Sequence, residues 1–125
     1  MIKRILKIVK QSDFDSMALE LFNLHFNNNP VYNSYVSNLG INTKTVQKTS
    51  DIPHLPVSFF KTKKIALKNL SYNMYFESSG TTSVDKSKHY ISDIEIYKKT
   101  LTENFKFFFG NPDEYTFIAL LPGYN

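Results

Sequence analysis

Hydrophobic residues recur at helical spacing through the first forty positions of the chain. A first apolar set has the i, i+3, i+4, i+7 spacing of a short amphipathic helix that packs onto the body of the protein: Ile2, Ile5, Leu6 and Val9. A second set shares one face of a longer helix that Ser12 or Asp13 caps: Phe14, Met17, Leu21 and Leu24. A third helix is predicted over residues 31–39, with Gly40 in the left-handed conformation that ends it.

The pattern changes after a mostly polar connector over residues 42–51. Pro53 and Pro56 block a helix, so residues 52–60 are expected to lie extended. Short strands are predicted over residues 65–67, 72–76 and 89–91, and a strand buried on both faces over 115–121. Between the last two, Ser92 and Glu95 form a capping box that opens a helix running to Gly110.

This order of elements predicts an α/β fold in two parts. Residues 1–50 form a helical N-terminal segment, and residues 51–125 form the start of an α/β domain. A buried strand needs neighbours on both edges, yet only four residues follow Leu121. The pattern therefore suggests a fragment whose unpaired edge favours self-association.

Composition and charge exclude several classes of function. Of the 125 residues, 42% are hydrophobic and none is cysteine, which allows one folded core and excludes disulfides, thiolate zinc sites and a thiol nucleophile. The net charge of +4 is concentrated in the first half, but Arg4 is the only arginine, so no nucleic-acid partner is expected. Neither a signal sequence nor a membrane-spanning run is present, and we expect a cytoplasmic protein without a membrane partner.

The most unusual segment covers residues 77–89 and follows a predicted strand. Residues 78–83 combine five hydroxyl side chains with one glycine: Ser78, Ser79, Gly80, Thr81, Thr82 and Ser83. Glycine lets the backbone approach an anion, and hydroxyls and amides donate hydrogen bonds to it, so the loop is suited to phosphate, with Lys86 and Lys88 adding charge. The segment is neither a Walker A motif nor a dinucleotide fingerprint. On these grounds a Ser/Thr-rich surface turn is as compatible with the residues as a phosphate site.

The segment FESSGTTSVDKSKH, residues 76–89, resembles the phosphate-binding loop of adenylate-forming enzymes. It is most similar to the form found in the bacterial acyl-protein synthetase (LuxE-like) family. Four further segments resemble that family's N-terminal landmarks in the same order: residues 18–22, 29–32, 52–61 and 119–122. The chain departs from the family pattern at Ser83, where a second glycine is usual, and at Lys88, where arginine is common. Both departures are expected to lower the affinity for nucleotide.

The resemblance implies a ligase that uses ATP and Mg²⁺ to activate a carboxylate, a long-chain fatty acid in this family, as an acyl-adenylate. The residues that would hold the ATP phosphates are Ser78, Ser79, Gly80, Thr81, Thr82, Lys86 and Lys88. In the family the acyl group passes to a cysteine near the C-terminus and then to an acyl-accepting reductase. The adenine pocket, the metal carboxylate and the C-terminal lid belong to later sequence, so the catalytic residues are unknown and this chain alone is expected to be inactive.

Two alternatives stay open. One is a stand-alone binding or interaction domain in which the loop is a relic. The other is a fragment of an acyl- or aryl-coenzyme A ligase, which shares the loop. The carboxylic acid and its acceptor are not identified by these residues.

Overall fold

The computed structural model describes residues 2–5, 7–78 and 86–120, which belong to two compact units. The first unit ends at Asp93 and contains helices α1 to α4 and a two-stranded sheet: α1 Ile2–Ile5, α2 Gln11–Asn28, α3 Pro30–Asn38, α4 Phe59–Thr62, β1 Met74–Glu77 and β2 Lys88–Ile91. The second unit begins at Ile94 and contains α5, Ile94–Phe109. Single 3₁₀ turns cover Thr43–Thr45, Thr49–Asp51 and Pro112–Glu114. The fold is therefore mixed helix and strand, which confirms the α/β prediction only in a loose sense.

Asn29 forms the boundary between α2 and α3. Its side-chain Oδ1 accepts the backbone N–H groups of Val31 and Tyr32, each at 3.2 Å, and Pro30 occupies the first helical position. Both features are favourable at a helix start, because they satisfy or remove amides that lack a partner within the helix. Gly40 follows the end of α3 with φ +68°, as predicted.

The core of the first unit lies between α2 and α3. Phe22, Tyr32 and Val36 are buried, and Ile52 and Leu55 pack against them. The segment that contains the two prolines is held there by tyrosine hydroxyl groups. Tyr32 donates to the carbonyl of Pro53 at 2.6 Å, and Tyr35 donates to that of His54 at 3.1 Å. This confirms the non-helical path expected at Pro53–Pro56, whereas Phe59–Thr62 forms a helical turn instead of extended chain.

Two helix starts differ from the prediction. The α2 helix begins at Gln11, and the residue before it, Lys10, makes no side-chain capping bond, so neither Ser12 nor Asp13 caps it. The α1 helix ends at Ile5, and Val9 is 91% exposed instead of packing onto the body. A 2.9 Å ion pair between Arg4 and Glu20 connects α1 to α2.

The sheet is an antiparallel hairpin of two four-residue strands. Its register pairs Met74 with Ile91 at one end and Glu77 with Lys88 at the other, so that residues 78–87 form the connection. The strands predicted over 72–76 and 89–91 are thus confirmed with shifted bounds. Residues 65–67 are not a strand. Their apolar run is too short to define secondary structure without a partner strand.

In the second unit, α5 has the predicted length, although it begins at Ile94, one residue later than a cap at Ser92 would require. Gly110 follows with φ +89°. The prediction of a buried strand over 115–121 is wrong for residues 115–120, which have no regular structure, and Leu121 lies outside the described range. Ile118 is 85% exposed and Leu120 is 96% exposed. An apolar run forms a buried strand only where neighbouring strands accept its hydrogen bonds, and no described strand pairs with this segment.

Candidate functional site

The two ends of the predicted phosphate loop are joined by a reciprocal pair of hydrogen bonds. The N–H of Ser78 donates to the carbonyl of Ser87, and the N–H of Ser87 donates to Oγ of Ser78, both at 3.1 Å. Ser87 is only 6% exposed, although no pattern in the sequence had selected it as a site residue. These bonds extend the hairpin by one pair beyond Glu77 and Lys88 and fix where the loop leaves the sheet. The predicted site residues Ser79, Gly80, Thr81 and Thr82 lie outside the described residues.

Both predicted lysines lie at this end of the hairpin, and both contact one carboxylate. Glu77 Oε2 is 3.7 Å from Lys86 Nζ, and Glu77 Oε1 is 3.8 Å from Lys88 Nζ. All three side chains are more than a third exposed, so these long ion pairs are weak. Among the described residues, two cations share this one anion. Asp85, which lies outside the described residues, adds a second carboxylate, so residues 77–89 carry no net formal charge. Because the two ion pairs are weak, a phosphate could replace Glu77 as the partner of either lysine at small cost.

Aromatic rings lie beside one lysine of the sheet and one lysine that precedes the sheet. Lys88 Nζ lies 4.8 Å from the centroid of the Tyr75 ring, and Lys64 Nζ lies 5.0 Å from that of Tyr90. Lys64 also lies 5.9 Å from the centroid of the Tyr72 ring. A basic run such as residues 61–64 usually forms a solvated turn. Lys64 differs from that expectation because its ammonium group is placed over aromatic faces.

His89, the last residue of the loop motif, connects the hairpin to the proline-containing segment. Its ring stacks on that of Phe60 in α4, with centroids 4.9 Å apart and planes inclined by 23°. Phe60 also lines an apolar groove of about 400 Å³ in the first unit. The groove residues come from α2, α3 and residues 49–65: Phe14, Ala18, Leu21, Phe22, His25, Asn29, Tyr32, Thr49, Ile52, Pro53, His54, Leu55, Phe60 and Ile65.

Two titratable groups of this groove are perturbed by burial. Burial lowers the pKa of His25 below its usual 6.5, since the charged imidazolium loses solvation. The pKa of Tyr32 is raised, first by burial and then by the neighbouring Tyr35. The two rings meet edge to face with centroids 6.2 Å apart. His25 was not among the site residues predicted from the sequence. Its position on the apolar side of α2 is the one sequence signal that could have indicated a place in the groove.

The described residues do not supply a Mg²⁺ site. No group of three His, Asp or Glu side chains gathers anywhere in the described ranges. At the hairpin end the carboxylate among the described residues is that of Glu77, and each of its oxygens contacts a lysine ammonium group. A hard divalent cation needs several oxygen ligands, and a carboxylate held by two cations is a poor one. Among the described helices, none combines the length and the apolar character that crossing a membrane requires.

Comparisons with protein-family models, with curated proteins and with solved structures found no match to this chain.

Proposed function

We propose that this chain provides the phosphate-binding hairpin of a cytoplasmic, ATP-dependent ligase that activates a carboxylate, of the acyl-protein synthetase kind. One observation carries the proposal. The serine pair Ser78 and Ser87 closes the base of a loop rich in hydroxyl groups, and Lys86 and Lys88 place two ammonium groups beside it. A polyphosphate is the ligand that this combination of donors and charge favours.

In the proposed reaction, a carboxylate oxygen of the substrate attacks the α-phosphorus of ATP. A new P–O bond forms, the bond between the α-phosphorus and the bridging oxygen breaks, and pyrophosphate leaves with the electron pair. The hairpin acts on the leaving group. Lys86 and Lys88 exchange the carboxylate of Glu77 for phosphate oxygens, while Ser79, Gly80, Thr81 and Thr82 donate hydrogen bonds from backbone and hydroxyl groups.

The acyl-adenylate is a mixed anhydride that a thiol can attack at the carbonyl carbon, releasing AMP. This chain contains no cysteine. The acceptor thiol must therefore come from other residues, from an acyl-accepting reductase partner, or from coenzyme A. A transfer assay with purified candidate acceptors, started from the acyl-adenylate, separates acyl-protein synthesis from coenzyme A ligation.

Binding of ATP to the 125-residue chain tests the proposal, with affinity measured by isothermal titration calorimetry. Removing one unit charge near 4 Å from a phosphate in water costs about 1 kcal/mol, or about fivefold in affinity. Lys86→Gln and Lys88→Gln should each weaken binding about fivefold. The exposed pair Lys98→Gln and Lys106→Gln on α5 serves as the matched control and should leave affinity unchanged. If both pairs of variants lose the same affinity for ATP, general charge attraction explains the binding. That result would contradict a site at the hairpin.

An interaction domain is the second candidate, and one feature of the second unit favours it. Phe107, Phe108 and Phe109 at the end of α5 are 81%, 72% and 61% exposed. Large exposed apolar patches commonly mark contact surfaces. If the chain self-associates and the Phe107→Ser, Phe108→Ser double variant becomes monomeric in light scattering while no nucleotide binds, the interaction domain is the better description.

A further inference from the structure

The second unit has no buried core of its own. Among its described residues, 94–120, no side chain is buried, and this includes every residue of α5. The unit spans residues 94–125, and chains shorter than about 40 residues usually need cross-links, a metal or an oligomer to hold a fold. The apolar side chains of α5 therefore need a second surface to cover them.

Many apolar side chains of α5 lie in one narrow stripe. At 3.6 residues per turn, five of them fall within about 80° of one another around the helix axis, and we call them the α5 stripe: Ile94, Tyr97, Leu101, Phe105 and Phe108. The charged residues of the helix lie outside the stripe: Glu95, Lys98, Lys99, Glu103 and Lys106. A stripe of this kind is typical of a helix that packs against one other element.

The middle and the C-terminal end of the α5 stripe are open to solvent. Leu101 is 59% exposed and Phe108 is 72% exposed. Phe105 is supported from one side within the unit, because the centroid of its ring lies 5.4 Å from those of Tyr115 and Phe117. A covering surface must therefore lie over Leu101 and Phe108 and meet Phe105 from its other side.

The spacing of the α5 stripe fits a second copy of the same helix. Its successive members are 3, 4, 4 and 3 positions apart, so the spacing is the same in both directions from Leu101. A two-fold axis at Leu101 that relates two antiparallel helices places this residue against its own counterpart. The same axis places Tyr97 against Phe105. At the two ends it places Ile94 against Phe108.

The mean spacing and the helix dipoles favour this antiparallel pair. The four steps of the α5 stripe cover the 14 positions from 94 to 108, and the mean step of 3.5 residues is the repeat of knobs-into-holes packing. Each helix carries about half a positive charge at its N-terminus and about half a negative charge at its C-terminus. Antiparallel neighbours bring opposite ends together, whereas parallel neighbours bring like ends together.

We infer that α5 pairs with α5 of a second copy of this chain, antiparallel and centred on Leu101, and so forms a homodimer. This surface differs from the strand edge that the sequence suggested for self-association, because residues 115–120 are not a strand. The inference does not depend on the proposed ligase function, since no residue of the phosphate loop takes part. Few side chains meet, so the interface is small and the dimer should dissociate on dilution.

The absence of cysteine from the chain makes disulfide cross-linking a clean test. The axes of packed helices are about 8–10 Å apart, which brings the two facing Cα atoms at Leu101 to about 5 Å, within the reach of a disulfide. Under oxidation, Leu101→Cys should form a cross-linked dimer. Lys99→Cys, on the charged side of α5, is the matched control and should not.

A second pair of cysteine variants tests the direction of the helices. Phe108→Cys alone should not cross-link, because the two copies of this position lie about 20 Å apart along an antiparallel pair. A mixture of Ile94→Cys and Phe108→Cys chains should cross-link. If Leu101→Cys cross-links no more than Lys99→Cys, or if Phe108→Cys alone cross-links as well as Leu101→Cys, the inference is overturned.

Sedimentation equilibrium over a wide concentration range measures the dimer without cross-links. The mass should rise from one chain to two. Leu101→Asp removes two leucine side chains from the dimer, each worth about tenfold in affinity, and should weaken it by at least about 100-fold. Phe107→Asp makes a similar change at an 81% exposed residue about 120° away around the helix, and should leave the dissociation constant within about threefold.

A monomer at every concentration, or equal losses in Leu101→Asp and Phe107→Asp, would overturn the inference. Equal losses would show general apolar association instead of a defined pair. ATP binding by Leu101→Asp should equal that of the unmodified chain. Failure of the phosphate site and failure of the dimer are therefore observed independently.

Discussion

The ring of Phe60 stacks on the ring of His89, with centroids 4.9 Å apart and planes inclined by 23°. This contact joins α4 to β2, and its two residues, at positions 60 and 89, lie 29 positions apart in the chain. Both residues lie in segments with the family resemblance, so the structure places two of the resembling motifs in direct contact. The stack holds the hairpin that carries the proposed phosphate loop against the wall of the apolar groove.

A double-mutant cycle measures the strength of that stack. Phe60→Leu and His89→Leu should show a coupling energy of about 0.5–1.5 kcal/mol in urea unfolding, because paired aromatic rings interact beyond their buried area. The control cycle combines Phe60→Leu with Val9→Ala, at a 91% exposed position, and should be additive within about 0.5 kcal/mol. Full additivity in the first cycle would mean that the stack does not hold the hairpin.

The Asn29 cap should be the most sensitive polar position between α2 and α3. Asn29→Ala removes the acceptor of two backbone amides and should lower the free energy of unfolding by about 1–2 kcal/mol. Asn27→Ala, exposed in the last turn of α2, should change it by less than about 0.5 kcal/mol. Similar losses in the two variants would show that general helix propensity, and not the cap, is responsible.

Stability should fall as the pH drops through the range in which histidine normally titrates. The pKa of His25 is lowered in the folded state, so below the unfolded value of about 6.5 the unfolded chain binds a proton that the folded chain does not. Thermal unfolding between pH 7.5 and 5.5 should show this loss. His25→Gln should flatten the slope, whereas His54→Gln, at an exposed residue, should retain it. A wild-type slope in His25→Gln would assign the effect to other groups.

Neutral replacements of the lysines in residues 61–64 should change the free energy of unfolding by different amounts. Lys64→Gln removes a cation placed over the Tyr90 and Tyr72 rings and should cost about 0.5–1 kcal/mol, as exposed cation–π contacts do. Lys63→Gln is the neighbouring control and should stay within about 0.5 kcal/mol. Urea unfolding distinguishes the two. If both variants change the free energy of unfolding by the same small amount, Lys64 is an ordinary solvated side chain.

The local signals of the sequence identified the helices better than the sheet. Asn29 caps α3 with its own side chain, Pro30 occupies the first helical position and Gly40 follows the helix end, so α3 and its ends follow from local residues. The sheet depends on which segments pair, and that information is not local. The two strands of the hairpin were therefore predicted with approximate bounds and without their pairing. The apolar run at residues 115–120, which lacks a described partner strand, was wrongly predicted to be buried.

The two lysines of the candidate site could be predicted from the sequence, but the hydrogen bonds that close the base of the loop could not. Lys86 and Lys88 follow from the motif, and the structure places both beside Glu77. The Ser78–Ser87 bonds depend on strand register, which one sequence does not define. The groove was missed because Phe60, His25 and Ala18 are far apart in the chain, and only the packing of α2 and of residues 49–65 brings them to one cavity.

The most direct test of the central claim is carboxylate-dependent exchange of labelled pyrophosphate into ATP, measured on the proposed ligase. Gly80→Val should reduce the exchange rate by about 10²–10³-fold with the fold intact, because a side chain there obstructs the approach of phosphate to the backbone. Thr81→Val and Thr82→Val should each be milder and should be severe together, while Thr62→Val, outside the loop, should exchange normally. Circular dichroism and thermal melting control for folding. Wild-type exchange in Gly80→Val would contradict the claim that this hairpin holds the phosphates of ATP.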